Sequence, residues 1–317
     1  MSGPTSARAS RYTLGDWDGK AAVRARQDDY RLPDDLERQL SSRNWFPPAF
    51  IPYIEHPLVI QAGHSVGQRL AANHLVYFLD YTTMLEHRVV NRSVETLVHG
   101  ELAVPIPRQM KTAALQLYTD EGYHALFSHE VAEQIATFYG IHERPPARRI
   151  GRLLEVIQRC PLPNRPLAWF LLGFVSETII ARELLTLTRK TLVSTVYRML
   201  QTHLEDEARH SRYFSEVFSY LWPILDVTQR QLAARLLLEI IALYFEPDMP
   251  WLMHSLAGVG FDEPASRQIV AGIVLPHAHA ARVRSGAVST LLAMRRAGFF
   301  DDDHNRALFC EAGFIDA

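Results

Sequence analysis

The sequence predicts an all-α fold, a four-helix bundle core with extra helices before and after it, on three observations. Apolar residues recur at three- and four-residue spacing through several long stretches, the mark of one buried helix face. No stretch alternates apolar and polar residues for long enough to form a half-buried strand. Two of the long stretches carry the same pattern, Asp120-Glu121-x-x-His124 and Asp206-Glu207-x-x-His210, each putting an acid and a histidine on one helix face.

Residues 1–57 read as an N-terminal arm and proline-rich connection, and residues 58–317 as the helical domain. The first 40 residues are polar and mixed in charge, with helical patterning only around Asp34 to Leu40. Prolines at 47, 48, 52 and 57 make the next segment extended, because each removes a helical hydrogen bond, and Pro57 suits a first helical turn. A helix is expected from about Val66 to His99, where Leu70, Leu75, Phe78, Leu79, Thr82 and Leu85 line one face, with Pro105 and Pro107 ending the region. The second runs from Arg108 to Tyr139 and stops at Gly140. A short helix, Arg148 to Gln158, closes at Pro161 and Pro163. Two long helices follow, Pro166 to Arg189 and Ser194 to Leu221, with Ser194 as expected N-cap. Beyond Pro223 come a helix at Thr228 to Phe245, a Pro/Gly-punctuated link at Glu246 to Pro264, a helix near Ala265 to Val274, and a last helix from Pro276 to about Ala297.

Composition narrows the function. The chain of 317 residues is 48% apolar, with a formal net charge of -2 and a pI near 6.7. No cationic surplus is available to neutralise a nucleic-acid backbone or an anionic membrane. The N-terminus lacks the apolar run of a signal peptide, and the most apolar stretch, Pro166 to Ile180, contains Ser176 and Glu177. Two cysteines, Cys160 and Cys310, give neither a disulfide framework nor a thiolate zinc site. The expectation is a cytoplasmic protein with no membrane span.

From 35 acidic residues and 14 histidines, roughly 1.5 acid-x-x-His pairs are expected by chance, so one pair means little. Asp301 and His304 form such a pair in a polar run and read as surface residues. The pairs at 121/124 and 207/210 differ: both use Glu, both follow an Asp, and both lie in long amphipathic helices. A carboxylate-bridged di-iron or di-manganese site in a four-helix bundle takes a Glu from each of two helices and Glu-x-x-His from each of the other two. Glu177 is favoured over Glu183 for one single Glu, because its apolar surroundings would not hold a carboxylate without a partner. Glu86 is favoured over Glu95 and Glu101 for the other, because it continues the strongest apolar face. His203 stands four residues before Glu207 and seven before His210, so the three share a wedge of roughly 60° and His203 reads as a seventh ligand. Glu205 points away and reads as solvated, as does Glu183 beside Arg182. Asp120 and Asp206 are placed to accept the second N–H of the metal-bound imidazoles, across the helix pair.

The series TTMLE at 82–86, TDEGYH at 119–124, Ser176-Glu177 and His203-x-x-x-Glu207-Ala208-Arg209-His210 resembles the di-iron arylamine N-oxygenases, the family of the p-aminobenzoate N-oxygenase of aureothin biosynthesis and the arylamine oxygenase of chloramphenicol biosynthesis. The resemblance covers about residues 65 to 220 and includes the extra histidine. It implies a ferritin-like core, a homodimer, and two irons on Glu86, Glu121, His124, Glu177, His203, Glu207 and His210. It also implies O2 as co-substrate, an aromatic amine oxidised through hydroxylamine and nitroso toward nitro, and an arginine near the C-terminal end for a substrate carboxylate. Arg282 and Arg284 lie about 200° apart on the last helix, and Arg282 is preferred. An external electron donor is expected, because no flavin or nicotinamide motif is visible. The same bundle also serves hydroxylases, desaturases and radical-generating subunits, with Tyr81 and Tyr123 near the ligands, and non-catalytic iron-binding proteins.

Overall fold

The computed structural model describes residues 12–25, 28–274 and 276–316; the first eleven residues of the expected arm lie outside them. Helix α1, His64–Leu85, runs through one π-helical segment at Glu86–Val90 into α2, Asn91–Val98. Helix α3 spans Arg108–Tyr139, α4 Arg148–Arg159, α5 Arg165–Leu187 and α6 Ser194–Leu221. The bundle is made by α1 with α2, α3, α5 and α6. Helix α1 lies along α3, α5 along α6, α2 between α3 and α5, and α6 closes back on α3. The described residues contain no strand; one isolated bridge joins Asn44 to Leu192.

Two apolar clusters fill the bundle, one at each end. Leu85, Val94, Leu117, Phe174 and Tyr213 belong to the first, and Leu79, Phe127, Ile180, Met199 and Leu200 to the second. Between them every bundle helix contributes buried polar side chains: Glu86, Asp120, Glu121, His124, Ser176, Glu177, His203, Asp206, Glu207 and His210. Apolar burial on both sides, at about 25 cal/mol per Å², supports a polar layer whose desolvation is costly by itself.

Most expected boundaries agree with the structure. Helix α3 ends at Gly140, whose φ of 62° is left-handed, and Pro57 occupies the first turn of Pro57–Gln61. Ser194 is not an N-cap, however. It is the first helical residue, after Val193, and the side chain of Gln39 takes over the capping. Gln39 Oε1 accepts from the Ser194 amide at 2.9 Å, and Gln39 Nε2 donates to Ser194 Oγ at 3.1 Å. A cap supplied 155 residues away leaves no local signature.

The C-terminal third departs further. Helix α7, Val227–Tyr244, is nucleated by a capping box of Asp226 and Gln229. The expected link at 246–264 contains helix α8, Met249–Ala257, whose start is set by Asp248 accepting from the Trp251 amide, with Pro250 in the first turn. Helix α9 spans Glu263–Val270 and continues as a 3-10 turn, Ala271–Val274. The single last helix is two, α10 at Pro276–Gly286 and α11 at Val288–Arg296. They part where Gly286 lies against the Phe245 ring, so close that a Cβ there would sit 2.5 Å from Phe245 Cζ. A further helix, α12 at Asp303–Glu311, follows Phe299 and Phe300 and brings Phe309 into the core. Asp301 and His304 are exposed, as read from the sequence. No described helix is long and apolar enough to cross a membrane.

Candidate metal centre

All seven candidate side chains converge in the polar layer, each no more than 1% exposed. Glu86 opens the π-helical segment, which inserts one extra residue per turn beside the centre; such segments recur at functional sites. Helix α3 presents Glu121 and His124, α5 Glu177, and α6 His203, Glu207 and His210. The donor atoms of Glu86, His124, His203 and Glu207 lie within 4.8 Å of one another, and so do those of Glu121, His124, Glu207 and His210. The two groups share His124 and Glu207, so Glu207 stands between two places for a cation. Glu177 closes the second, its Oε2 3.6 Å from His210 Nδ1. His203 Nε2 lies 2.7 Å from Glu86 Oε1 and 3.5 Å from Glu207 Oε1.

Asp120 and Asp206 fix the outer faces of two imidazoles, each across the α3/α6 pair. Asp206 Oδ2 is 3.0 Å from His124 Nε2, and Asp120 Oδ2 is 3.0 Å from His210 Nε2. Both rings therefore carry the proton on Nε2 and turn Nδ1 inward. Of the inner atoms, in contrast, His210 Nδ1 and Glu207 Oε1 meet each other at 3.1 Å, and most of the rest lack partners. Both oxygens of Glu86 and of Glu121, Glu177 Oε2, Glu207 Oε2, His124 Nδ1 and His203 Nε2 are buried without a hydrogen bond. Buried polar atoms are almost always satisfied, and leaving one unmet costs about 1–3 kcal/mol. A cluster of inward-facing orphans of both kinds, oxygen and imidazole nitrogen, fits a metal centre.

Burial sets the acid–base state of the cluster. It pushes the Glu86 carboxyl up to about 7 against the pull of His203. It raises Glu177 far above the usual carboxylate range, with the charges of Glu207 and Glu121 adding to the effect. Burial opposes the charged form of Glu207 as well, yet His210, His124 and His203 hold it well below the usual value. His124 and His210 rise despite burial, carried by Asp206 and Glu121 for the first and by Glu121 and Glu207 for the second. In water-poor surroundings Glu86 and Glu177 hold protons that bound cations would displace.

A cavity of about 280 Å³ lies beside the bundle, and none of the seven side chains lines it. Tyr81 and Tyr244 line it, and the Tyr244 hydroxyl shares a short hydrogen bond with Ser176, the neighbour of Glu177. Its walls are largely aromatic, with Phe78, Phe245 and Trp251, and Arg149, Arg282, Glu183, Glu246 and Asp248 supply charge of both signs. Arg282 donates to the carbonyls of Phe245 at 3.3 Å and Ile273 at 3.1 Å. Arg284 points elsewhere, to Gly313 O and Asp316 near the C-terminus. Glu183 is not solvated as its neighbour Arg182 suggested; it lines the cavity, where burial raises its pKa against the pull of Arg149. Arg149 was missed altogether. It sits in a short helix whose arginines read alike in sequence, and only its cation, 5.0 Å from the Tyr81 ring centroid, marks it out. Glu95 and Glu101 both pair with Arg92, away from the centre, and Glu205 is exposed.

Comparison with known proteins agrees with this architecture. A 4-aminobenzoate N-oxygenase of Streptomyces thioluteus is 24% identical over 220 residues, which cover 68% of this chain and 66% of that protein. The family model described as p-aminobenzoate N-oxygenase AurF matches residues 13–296, which takes in the whole bundle, the seven converging side chains and the arginine at 282. The chain belongs to the p-aminobenzoate N-oxygenase AurF family.

Proposed function

We propose that this protein is an O2-dependent di-iron N-oxygenase that oxidises the nitrogen of an aromatic amine through hydroxylamine and nitroso levels toward nitro. The observation that carries the reading is the convergence of three imidazoles and four carboxylates, most of whose inner atoms make no hydrogen bond within the protein. Oxygen and imidazole donors with a shared carboxylate suit iron that changes oxidation state. When bound, two irons would supply O2 activation and transfer of oxygen to nitrogen.

The chain's own residues do the rest. Glu86, Glu121, His124, Glu177, His203, Glu207 and His210 hold the ions, and Asp120 and Asp206 orient two of the rings. The apolar clusters on either side keep bulk water out. The cavity lies just under the range of about 300–1,000 Å³ for drug-sized sites, which suits one substituted ring. Arg282, on the cavity wall, holds the carboxylate of a p-aminobenzoate-like substrate. The first oxidation takes RNH2, O2, two electrons and two protons to RNHOH and water, so an external electron-transfer partner is needed. In this reading residues 58–317 form the catalytic domain, residues 1–57 an arm upon it, and two chains a homodimer, which sedimentation measures.

The test exposes reduced, iron-loaded protein to 18O2 with a panel of arylamines and follows products by mass spectrometry. Labelled oxygen on nitrogen is expected. No oxygenated arylamine from any member, with two irons bound, would return the site to a hydroxylase, desaturase or iron-storage role.

A further inference from the structure

The described part of the N-terminal arm lies over the outer side of the two histidine-bearing helices. It follows α6 one contact at a time. The Tyr12 amide donates to Glu216 Oε2 at 2.6 Å, Arg212 donates to the Thr13 carbonyl at 3.0 Å, and Arg209 to the Lys20 carbonyl at 3.4 Å. The Ala22 amide then donates to Asp206 Oδ2 at 3.2 Å. From the same strap the Trp17 indole reaches α3, where Nε1 lies 2.9 Å from both oxygens of Asp120. Leu14, Ala21 and Ala22 are buried, so the strap is seated by apolar contact as well.

The two carboxylates it meets are the two that hold imidazoles. Asp120 accepts from Trp17 and His210, and Asp206 from Ala22 and His124, with Arg209 also donating to Asp206. One strap therefore supports both Asp–His pairs, with an indole N–H on one side and a backbone N–H on the other. We infer that the segment Tyr12–Ala25 is a positioning element of the metal centre, and that Trp17 Nε1 and the Ala22 amide fix the carboxylates that orient His210 and His124. Removing the indole N–H leaves Asp120 free to rotate about its bond to Cα, and the His210 ring loses its fixed direction. Outer partners of metal-bound imidazoles govern affinity through this route, typically by 10–100-fold.

The inference rests on the metal-centre reading, and the test separates the two. Co(II) is titrated into metal-free full-length protein against a competing chelator, with the visible ligand-field bands recorded and the melting temperature of the metal-free protein measured. Wild type is expected to bind two Co(II); fewer would refute the centre itself. Trp17→Phe keeps an aromatic ring, though a smaller one, but not the donor, and is expected to weaken the His210-side ion about tenfold and shift its bands, while the metal-free melt moves by no more than about 4 °C. Asp16→Ala, at an exposed residue that accepts from the Gly19 amide at 3.3 Å, loosens the same turn without touching the centre and is expected to weaken Co(II) in the same direction by a smaller factor. Two Co(II) bound by Trp17→Phe with unchanged affinity and bands would overturn the inference.

Discussion

Replacing Gly173 with alanine should damage both the fold and the site, by an amount the packing sets. Gly173 lies one turn before Glu177 on α5, where that helix meets α2. A Cβ there would fall 2.5 Å from the Cβ of Ser93, nearer still to its Oγ, and 3.2 Å from Phe214 Cε1. Rotating Ser93 can move its hydroxyl but not its Cβ, so the helices must separate. Overpacking of this kind costs about 1–3 kcal/mol, and a backbone-relieved clash belongs at the upper end. With an unfolding entropy of roughly 0.7 kcal/mol/K for a chain of this size, about 3 kcal/mol lowers the melting temperature by about 4 °C. Separation of α5 also draws Glu177 from His210, so metal affinity falls with stability. Calorimetry of Gly173→Ala, Ser93→Gly and the double variant checks this, with a coupling of about 1.5 kcal/mol expected in favour of the double. A single variant within about 0.5 kcal/mol of wild type, or strictly additive effects, would refute the packing argument.

Other outcomes follow from the same geometry. His203→Ala should lose the ion placed among Glu86, His124, His203 and Glu207, taking metal content from two per chain toward one by plasma mass spectrometry; unchanged metal and unchanged amine oxidation would make His203 an ordinary core histidine. Arg282→Met should raise KM for p-aminobenzoate by about 10–100-fold, the worth of a charge-assisted hydrogen bond, and leave a neutral aniline unaffected; equal effects on both would remove Arg282 from carboxylate recognition. Stability should fall with acid through His74, whose ring packs edge-on against Trp251 and whose pKa burial pushes down to about 4. Between pH 6.5 and 4 the unfolded chain binds this proton and the folded one does not, so stability drops by about 3 kcal/mol as pH falls through that window. His74→Phe should flatten that part of the curve in denaturant melts, and an unaltered acid slope would contradict the assignment.

The bundle was legible because its signals are local and repeated. Pro107 and Gly140 bound α3 as read, and the doubled Asp-Glu-x-x-His pattern, with Glu177 in an apolar run, singled out side chains that the structure brings together. What stayed hidden depends on partners far along the chain. Gln39 caps α6 from 155 residues away, and Gly286 parts α10 from α11 because a ring from residue 245 presses on it. Helix α8 hid inside a stretch whose prolines and glycines read as a link, although Asp248 and Pro250 together are a helix start. Arg149 and Glu183 look solvated beside their sequence neighbours, and only the folded chain turns them onto the cavity. The π-helical turn at Glu86 has no composition of its own.

Anaerobic titration of metal-free protein with ferrous iron, read by calorimetry, tests the central claim most directly. The account predicts two ferrous ions per chain, with protons released on loading as the carboxyls of Glu86 and Glu177, raised by burial, give up theirs. One ion or none, or binding without proton release, would contradict a centre built from these seven side chains.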